Sequence, residues 1–527
     1  MGLAIVRTRA QVGIASPEVT VEAHAAGGLP GFTLVGLPAA AVREARDRVR
    51  AALSTCGFDW PAGRITVHLG PADLPKQGGR FDLPIAVALL AATGQLPARA
   101  LASLELYGEL GLDGRVLGTP GLLPALLAAR AAARTAVVPR ENAPEAGVAV
   151  AVSGTVSGTV CEGGRPGSGP RVIGHLRELC DWLRRRVALP PVPAAPLEPL
   201  PRIWPELADV LGQMHAKRAL EVAAAGGHNL VLIGPPGSGK SMLAARLPGL
   251  LPPLELSEAL ELAAVRSAAG LTCAGEAFLN RPWRAPHHSA SAVALVGGGA
   301  SARPGEVSLA HHGVLFLDEL PEFRRGVLEA LREPLENGAI TVARALRQAD
   351  YPTRFQLVAA MNPCPCGYYG DPGGRCSCSP EQVRRYRGRI SGPLLDRIDL
   401  HVDMPRIDLH GEGLGHGPTT AEVARRVARC RARQRRRQGG LNAGLPASQL
   451  AELAVVDRAG RRVLQAAASR RQLSGRAQAR ILRLALTLAD LAVVAADRDD
   501  APTLPLDAHV IAGALALRCL DREDPSH

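Results

Sequence analysis

The sequence predicts an α/β protein: a parallel sheet with covering helices at its centre, an α+β region before it and a helical region after it. Three observations carry this. An apolar run of strand length, Leu230–Ile233, leads into Gly234-Pro-Pro-Gly-Ser-Gly-Lys240-Ser241 and then a helical stretch, the order of a βαβ unit. Two further strand-like runs follow, Gly313–Leu317 and Gln356–Ala360. From about Thr419 to the end the pattern turns Ala/Leu/Arg-rich and helical, with few β-branched runs.

At 527 residues the chain exceeds one hydrophobic core and divides into about two to four domains. Residues 1–189 alternate short strand-like runs with helical ones, for example Arg64–Leu69 (strand), Leu83–Ala92 (helix) and Ala136–Val138 (strand). Within them, Ser153 to Pro170 reads as a flexible surface loop, rich in Gly, Ser and Pro. Seven prolines between Pro190 and Pro205 predict an extended, semi-rigid linker. The expected boundaries are therefore 1–189, a linker at 190–205, a P-loop core at 206–418 and a helical domain at 419–527.

Composition narrows the class. With 47% hydrophobic and 21% charged residues, the chain is a folded soluble protein. It contains no uncharged apolar run of about 18 residues, so no membrane span is expected. Arg7 and Arg9 interrupt the first apolar stretch, which lacks a signal-peptide core, and the expected location is cytoplasmic. The ten cysteines then read as reduced thiols or metal ligands rather than a disulfide framework.

The chemistry concentrates on the glycine loop. Gly234, Pro235, Pro236, Gly237, Ser238, Gly239, Lys240 and Ser241 match G-x-x-x-x-G-K-S between a strand and a helix, with Met242 next on that helix. Such a loop turns backbone N–H groups toward phosphates, which points to ATP. Lys240 supplies a charge to the β- and γ-phosphates, and Ser241 a hydroxyl for Mg²⁺. The run Gly313–Leu317 ends in Asp318 and Glu319. Asp318 can hold Mg²⁺ through water, and Glu319 can polarise an attacking water. Asn362, at the end of the Gln356–Ala360 strand, can hydrogen-bond the γ-phosphate or that water.

Several strings make a resemblance specific: Asp209-Val-Leu-Gly-Gln213, Lys217-Arg-Ala-Leu-Glu221, Arg281-Pro-Trp-Arg284-Ala-Pro-His287-His288-Ser289, Pro304-Gly-Glu306 through His311-His312-Gly313, and Ser391-Gly-Pro-Leu-Leu-Asp396-Arg397-Ile398-Asp399. Over nearly the whole chain these resemble the ComM/YifB family of magnesium-chelatase-like AAA+ ATPases. The resemblance implies a hexameric ring with each nucleotide held between neighbours. It makes Arg397 a trans arginine finger, and makes Arg476, in Leu-Ser-Gly-Arg476-Ala-Gln-Ala-Arg480, the second sensor of a helical lid domain, with Arg480 the alternative. It implies a Lon-protease-like (ribosomal S5-type) fold for the N-terminal domain. There Arg80 and Leu123 stand where a protease has its nucleophilic serine and its lysine, so the domain is expected to be proteolytically inactive.

Cys364, Cys366, Cys376 and Cys378 form C-x-C-x₉-C-x-C, which suits tetrahedral Zn²⁺ or a metal-free thiol loop. Two histidine pairs, His287/His288 and His311/His312, read as structural or DNA-coupling hydrogen bonds, with a second metal site the alternative. The formal charge of +12 points to an anionic partner, nucleic acid first. Eight arginines between Arg425 and Arg437 read as a solvated helix face, with a binding site for that partner the alternative. Residues 338–354 alternate like a hairpin, and in related motors a hairpin there faces the ring pore, which makes Arg344 and Arg347 candidates for phosphate contacts. The expected partner is single-stranded or branched DNA, in branch migration during recombination or natural transformation. The alternatives are a chelatase motor inserting magnesium into a porphyrin and a protein remodeller.

Overall fold

The computed structural model describes residues 2–36, 42, 44–76, 78–155, 169–197, 203–271, 278–299, 302–344, 347–371, 373–407, 417–502 and 505–522. Cys161, Cys273 and the side chains of Arg344 and Arg347 lie outside the described residues.

The centre is a five-stranded sheet in the order Trp283–Arg284, Val314–Leu317, Gln356–Met361, Leu230–Ile233, Leu400–Asp403, parallel throughout. Every residue of the three inner strands is buried, as a sheet covered on both faces requires. Register brings the chemistry to one edge. Ile233 pairs with Met361 and Leu317 with Ala359, so Gly234, Asp318 and Asn362 all emerge at the carboxyl ends of adjacent strands, where open α/β sheets hold ligands.

One face packs against the helix Met214–Gly226 and, through it, the C-terminal helices Thr420–Gln438 and Gly475–Ala495. The first of these begins with a capping box: Glu422 N–H donates to Thr419 Oγ1 (3.3 Å), and Thr419 N–H to the Glu422 carboxylate (2.9 Å). The other face carries the antiparallel hairpin Ala339–Arg344/Arg347–Pro352, whose Ile340, Val342, Ala349 and Tyr351 point into the core. The alternation in 338–354 thus corresponds to a hairpin, closed by the Arg344–Arg347 backbone pair.

The first part of the chain forms a seven-stranded mixed sheet around the helix Asp82–Ala92, all of whose residues are buried, consistent with a stretch that is apolar on every side. The helix Ala143–Thr155 continues past Ser153, where a loop was expected, because Ala146, Val148, Ala149 and Val152 pack into a core cluster; residues 156–168 lie outside the described residues. That cluster also takes Leu254, Ala259, Leu262, Ala263 and Phe278 from the other side of the proline-rich segment. Polar contacts reinforce the junction with the helix Leu256–Ala268: Leu123 N–H donates to Ser267 Oγ (3.2 Å), Ser267 Oγ–H to Glu145 (2.6 Å), and Gln11 Nε2 to the Ala268 carbonyl (3.3 Å). The proline-rich segment is itself docked, with Val192 buried and Ala195 N–H bonded to the Gly147 carbonyl at 2.9 Å. Among the described residues, no helix is long and apolar enough to cross a membrane.

Candidate nucleotide site

The strand Leu230–Ile233 delivers the chain into a loop that only glycine permits at two points: Gly237 and Gly239 have φ of +76° and +88°. Gly234 answers a different demand, since a Cβ there would stand 2.3 Å from the Met404 carbonyl oxygen. The loop then turns into the helix Lys240–Ala244.

Lys240 Nζ donates to the carbonyls of Gly234 (2.8 Å) and Pro235 (2.9 Å) and to Asn362 Oδ1 (3.1 Å). Burial pushes this ammonium below its ordinary range, against the pull of Asp318 and Glu319. Ser241 Oγ–H donates to Asp318 Oδ2 at 2.6 Å, and Asp318 Oδ1 accepts the Glu319 N–H at 2.9 Å. The structure thus brings Lys240 onto Asn362 and Ser241 onto Asp318. Glu319 sits in the left-handed region (φ 53°), with its carboxylate 3.2 Å from His288 Nδ1.

A cavity of about 1060 Å³ opens on this loop, lined by Gly234, Pro235, Gly237, Ser238, Gly239 and Met242. Its other walls were not foreseen: Tyr368, Tyr369 and Arg375 from the cysteine loop, and Met404–Ile407 beyond the last strand of the sheet. Gln213, part of one of the family strings, ties two walls together by donating to the carbonyls of Ser238 (3.2 Å) and Pro405 (2.7 Å). The Gly-Tyr-Tyr-Gly stretch between the cysteine pairs was the available signal for the aromatic wall.

Lys240, Ser241, Asp318, Glu319 and Asn362 are not among the residues that line this cavity but adjoin its glycine-loop wall, and Arg397 and Arg476 do not line it either. Arg397 is paired with Glu336 and donates to the Pro393 carbonyl at 2.7 Å. Arg476 is exposed, and its charge acts on the same Glu336 carboxylate, which Arg397 first and Arg476 after it hold below the usual range. Arg480 instead pairs with Asp399 at 3.4 Å, and burial lowers its pKa.

The sulfurs of Cys364, Cys366, Cys376 and Cys378 all lie within 4.8 Å of one another. Three pairs are 3.3, 3.8 and 3.7 Å apart. The Cys366 thiol is lowered to about 6, first by the backbone N–H of Tyr368. A second cluster of metal-capable groups among the described residues, Glu261 with His311 and His312, is chemically different. His311 Nδ1 accepts the Arg354 N–H at 3.0 Å, so the neutral ring carries its proton on Nε2 and gives it to Glu261 at 3.0 Å. Burial drives the His311 pKa down to about 4, which keeps the ring neutral near pH 7. Both ring nitrogens of His311 are thus engaged within the chain.

The arginine run corrects the expectation of a solvated face. Arg426 pairs with Glu221 (2.6 Å), Arg429 with Asp497 and Asp499 (2.7 Å each), and Arg435 with Glu258 (3.1 Å). Arg433 and Arg437 both reach the buried Asp490, at 3.0 and 2.7 Å. Arg431 is buried and donates to the Ala224 carbonyl at 2.7 Å. Much of the local charge is thus neutralised within the chain and holds the C-terminal helices to the core. Sequence alone could not reveal this, since most of the acidic partners lie far away in the chain.

Arg80 is buried, donating to the Arg9 carbonyl (3.4 Å), Gln11 Oε1 (3.3 Å), the Pro120 carbonyl and the Gly121 carbonyl (3.5 Å). Leu123 faces Ser267 of the central region through its N–H, and Lys76 is buried with its ammonium on the Pro71 carbonyl.

Three stretches match magnesium chelatase families: residues 206–411 the family described as magnesium chelatase, subunit ChlI; residues 21–142 the subunit ChlI of Mg-chelatase; and residues 417–500 the subunit ChlI C-terminal. The chain is 47% identical over 493 residues to the uncharacterized protein YifB of Salmonella typhimurium, covering 93% of this chain and 94% of that protein. The YifB protein of Escherichia coli is 45% identical over 494 residues, with 93% and 94% covered. The competence protein ComM of Haemophilus influenzae is 45% identical over 498 residues, again with 93% and 94% covered. With a parallel-sheet core, a glycine loop in contact with its carboxylate strand, and relatives matched along nearly their whole length, the chain belongs to the ComM/YifB family of magnesium-chelatase-like AAA+ proteins.

Proposed function

We propose that the chain is an ATP-hydrolysing motor that works on DNA as a ring of identical subunits. The observation that carries the hydrolysis is the contact set Lys240–Asn362 and Ser241–Asp318 beside a cavity large enough for a nucleotide. Lys240 exchanges the Gly234 and Pro235 carbonyls for phosphate oxygens, Ser241 and Asp318 hold Mg²⁺, and Glu319 orients the attacking water with Asn362 as sensor. Arg397 acts in trans on the neighbour's nucleotide. Arg476 is the second sensor in preference to Arg480, because Arg480 is already engaged by Asp399. The four cysteines hold a structural Zn²⁺.

In this reading residues 1–189 are a Lon-protease-like domain without peptidase activity, 190–205 a linker, 206–418 the AAA+ core and 419–527 the helical lid domain, in a cytoplasmic hexamer. The hairpin closed by Arg344 and Arg347 faces the pore and contacts phosphates of single-stranded or branched DNA. Family resemblance to ComM suggests branch migration. A second reading, a chelatase-type motor, has one observation in its favour: all three matched stretches carry a magnesium chelatase description.

The deciding experiment is ATP turnover titrated with single-stranded or branched DNA, a porphyrin or an unfolded protein. DNA should stimulate turnover and strands should be displaced. Binding should weaken with salt by a log–log slope of about −0.7 to −0.9 per phosphate, and charge reversal at Arg344 and Arg347 should remove the stimulation. A rate indifferent to DNA at low salt, with no shift in a binding assay, removes the DNA assignment and leaves the motor.

A further inference from the structure

The loop that carries the four cysteines is also a wall of the nucleotide cavity. Cys364 follows Asn362 by two residues, and Asn362 accepts from Lys240. Between the cysteine pairs, Gly367, Tyr368, Tyr369, Asp371 and Arg375 all line the cavity. Contact with the glycine loop is direct: a Cβ on Gly367 would stand 2.5 Å from Pro236 Cδ. Both rings are backed by guanidinium groups, Arg375 at 4.6 Å from the Tyr368 centroid and Arg387 at 5.2 Å from that of Tyr369. Arg375 is anchored to Asp371 at 2.7 and 2.8 Å, and Arg387 to the Pro363 carbonyl at 3.0 Å.

What remains to fix this wall is its root, and the sulfurs sit there. A tetrahedral thiolate cage with Zn–S near 2.3 Å has S–S edges of about 3.8 Å. The pairs at 3.3, 3.7 and 3.8 Å, and the limit of 4.8 Å for the whole set, match such a cage. An all-sulfur tetrahedral set selects zinc or an iron–sulfur centre over hard cations. We infer that one zinc ion held by Cys364, Cys366, Cys376 and Cys378 fixes the Tyr368–Asp371 wall against the glycine loop, so that metal occupancy sets nucleotide affinity. This rests on the reading of the cavity as a nucleotide site.

The test uses the full chain, purified without chelator. Elemental analysis should find about one zinc per chain. A slowly hydrolysed fluorescent ATP analogue with Mg²⁺ should bind roughly tenfold more weakly once zinc is released by an organomercurial and the thiols are regenerated. Returning zinc should restore affinity, with the circular dichroism spectrum constant throughout. Cys378→Ser should lose zinc and affinity together, whereas Tyr369→Ala should keep its zinc and still bind nucleotide more weakly. Well under half an equivalent of zinc, iron in its place, or stripped protein that binds the analogue as before would each overturn the inference. A chain that holds zinc yet binds no analogue in any state would instead bring down the nucleotide reading, and the coupling with it.

Discussion

Lys240 and Arg80 are both cations set among backbone carbonyls. Lys240 donates to Gly234, Pro235 and Asn362, and Arg80 to Arg9, Pro120, Gly121 and Gln11. The cages differ in what lies beyond them. Gly234 and Pro235, whose carbonyls hold Lys240, line a cavity of about 1060 Å³, so an incoming oxyanion can take over their role. Arg80 is enclosed, and burial brings its pKa down to about 10 against the opposing influence of Tyr107 and Glu145 nearby. Its neighbour Gln11 is tied to the helix Leu256–Ala268. A buried cation is a ligand site only where its partners can be exchanged; where they cannot, it is part of the core.

The comparison can be broken most directly at Lys240. Lys240→Ala should abolish nucleotide binding in an equilibrium titration while leaving the melting temperature nearly unchanged, because the freed carbonyls border a cavity that water can enter. Next in size, Arg397→Ala should lower turnover by roughly 10³–10⁵-fold with nucleotide still bound. Mixing it with Lys240→Ala subunits should recover part of the rate, and no recovery at any ratio would end the trans assignment. Glu319→Gln should bind ATP and turn it over roughly 10²–10⁴-fold more slowly; near-normal turnover would mean that another group activates the water. Arg80→Ala should have the smallest effect on turnover and the opposite profile to Lys240→Ala. Orphaning several buried acceptors should cost about 2–4 kcal/mol in chemical denaturation, with turnover per folded molecule kept within about twofold. Loss of turnover without loss of stability at Arg80 would erase the distinction between the two cages.

The glycine loop, the Asp318–Glu319 strand end and the Asn362 strand could be read from the sequence because each is a local string in which backbone conformation and chemistry coincide. The hairpin at 339–352 was legible for the same reason, by alternation. What escaped depends on long-range pairing. The arginines of the helix Thr420–Gln438 find Asp490, Asp497 and Asp499 on elements that the sequence separates by more than fifty residues. The aromatic wall at Tyr368 and Tyr369 meets a loop over a hundred positions earlier. The contact of His288 with Glu319 arises where two loops meet at the sheet edge. Charge runs and histidine pairs look the same in a sequence whether they face water, ligand or core.

The junction at the helix Leu256–Ala268 has a consequence for how the chain comes apart. Leu262, Ala263 and Phe278 share one apolar cluster with Leu122, Leu126 and Val152, and the proline-rich segment adds Val192 to it rather than standing clear. A protease cut in that segment would sever the polypeptide and leave the particle whole, with both fragments sedimenting together. Amides in the helix Leu256–Ala268 would exchange with solvent only through openings that also release the first 189 residues. The two halves would then behave as one cooperative unit joined by a seam rather than as beads on a string.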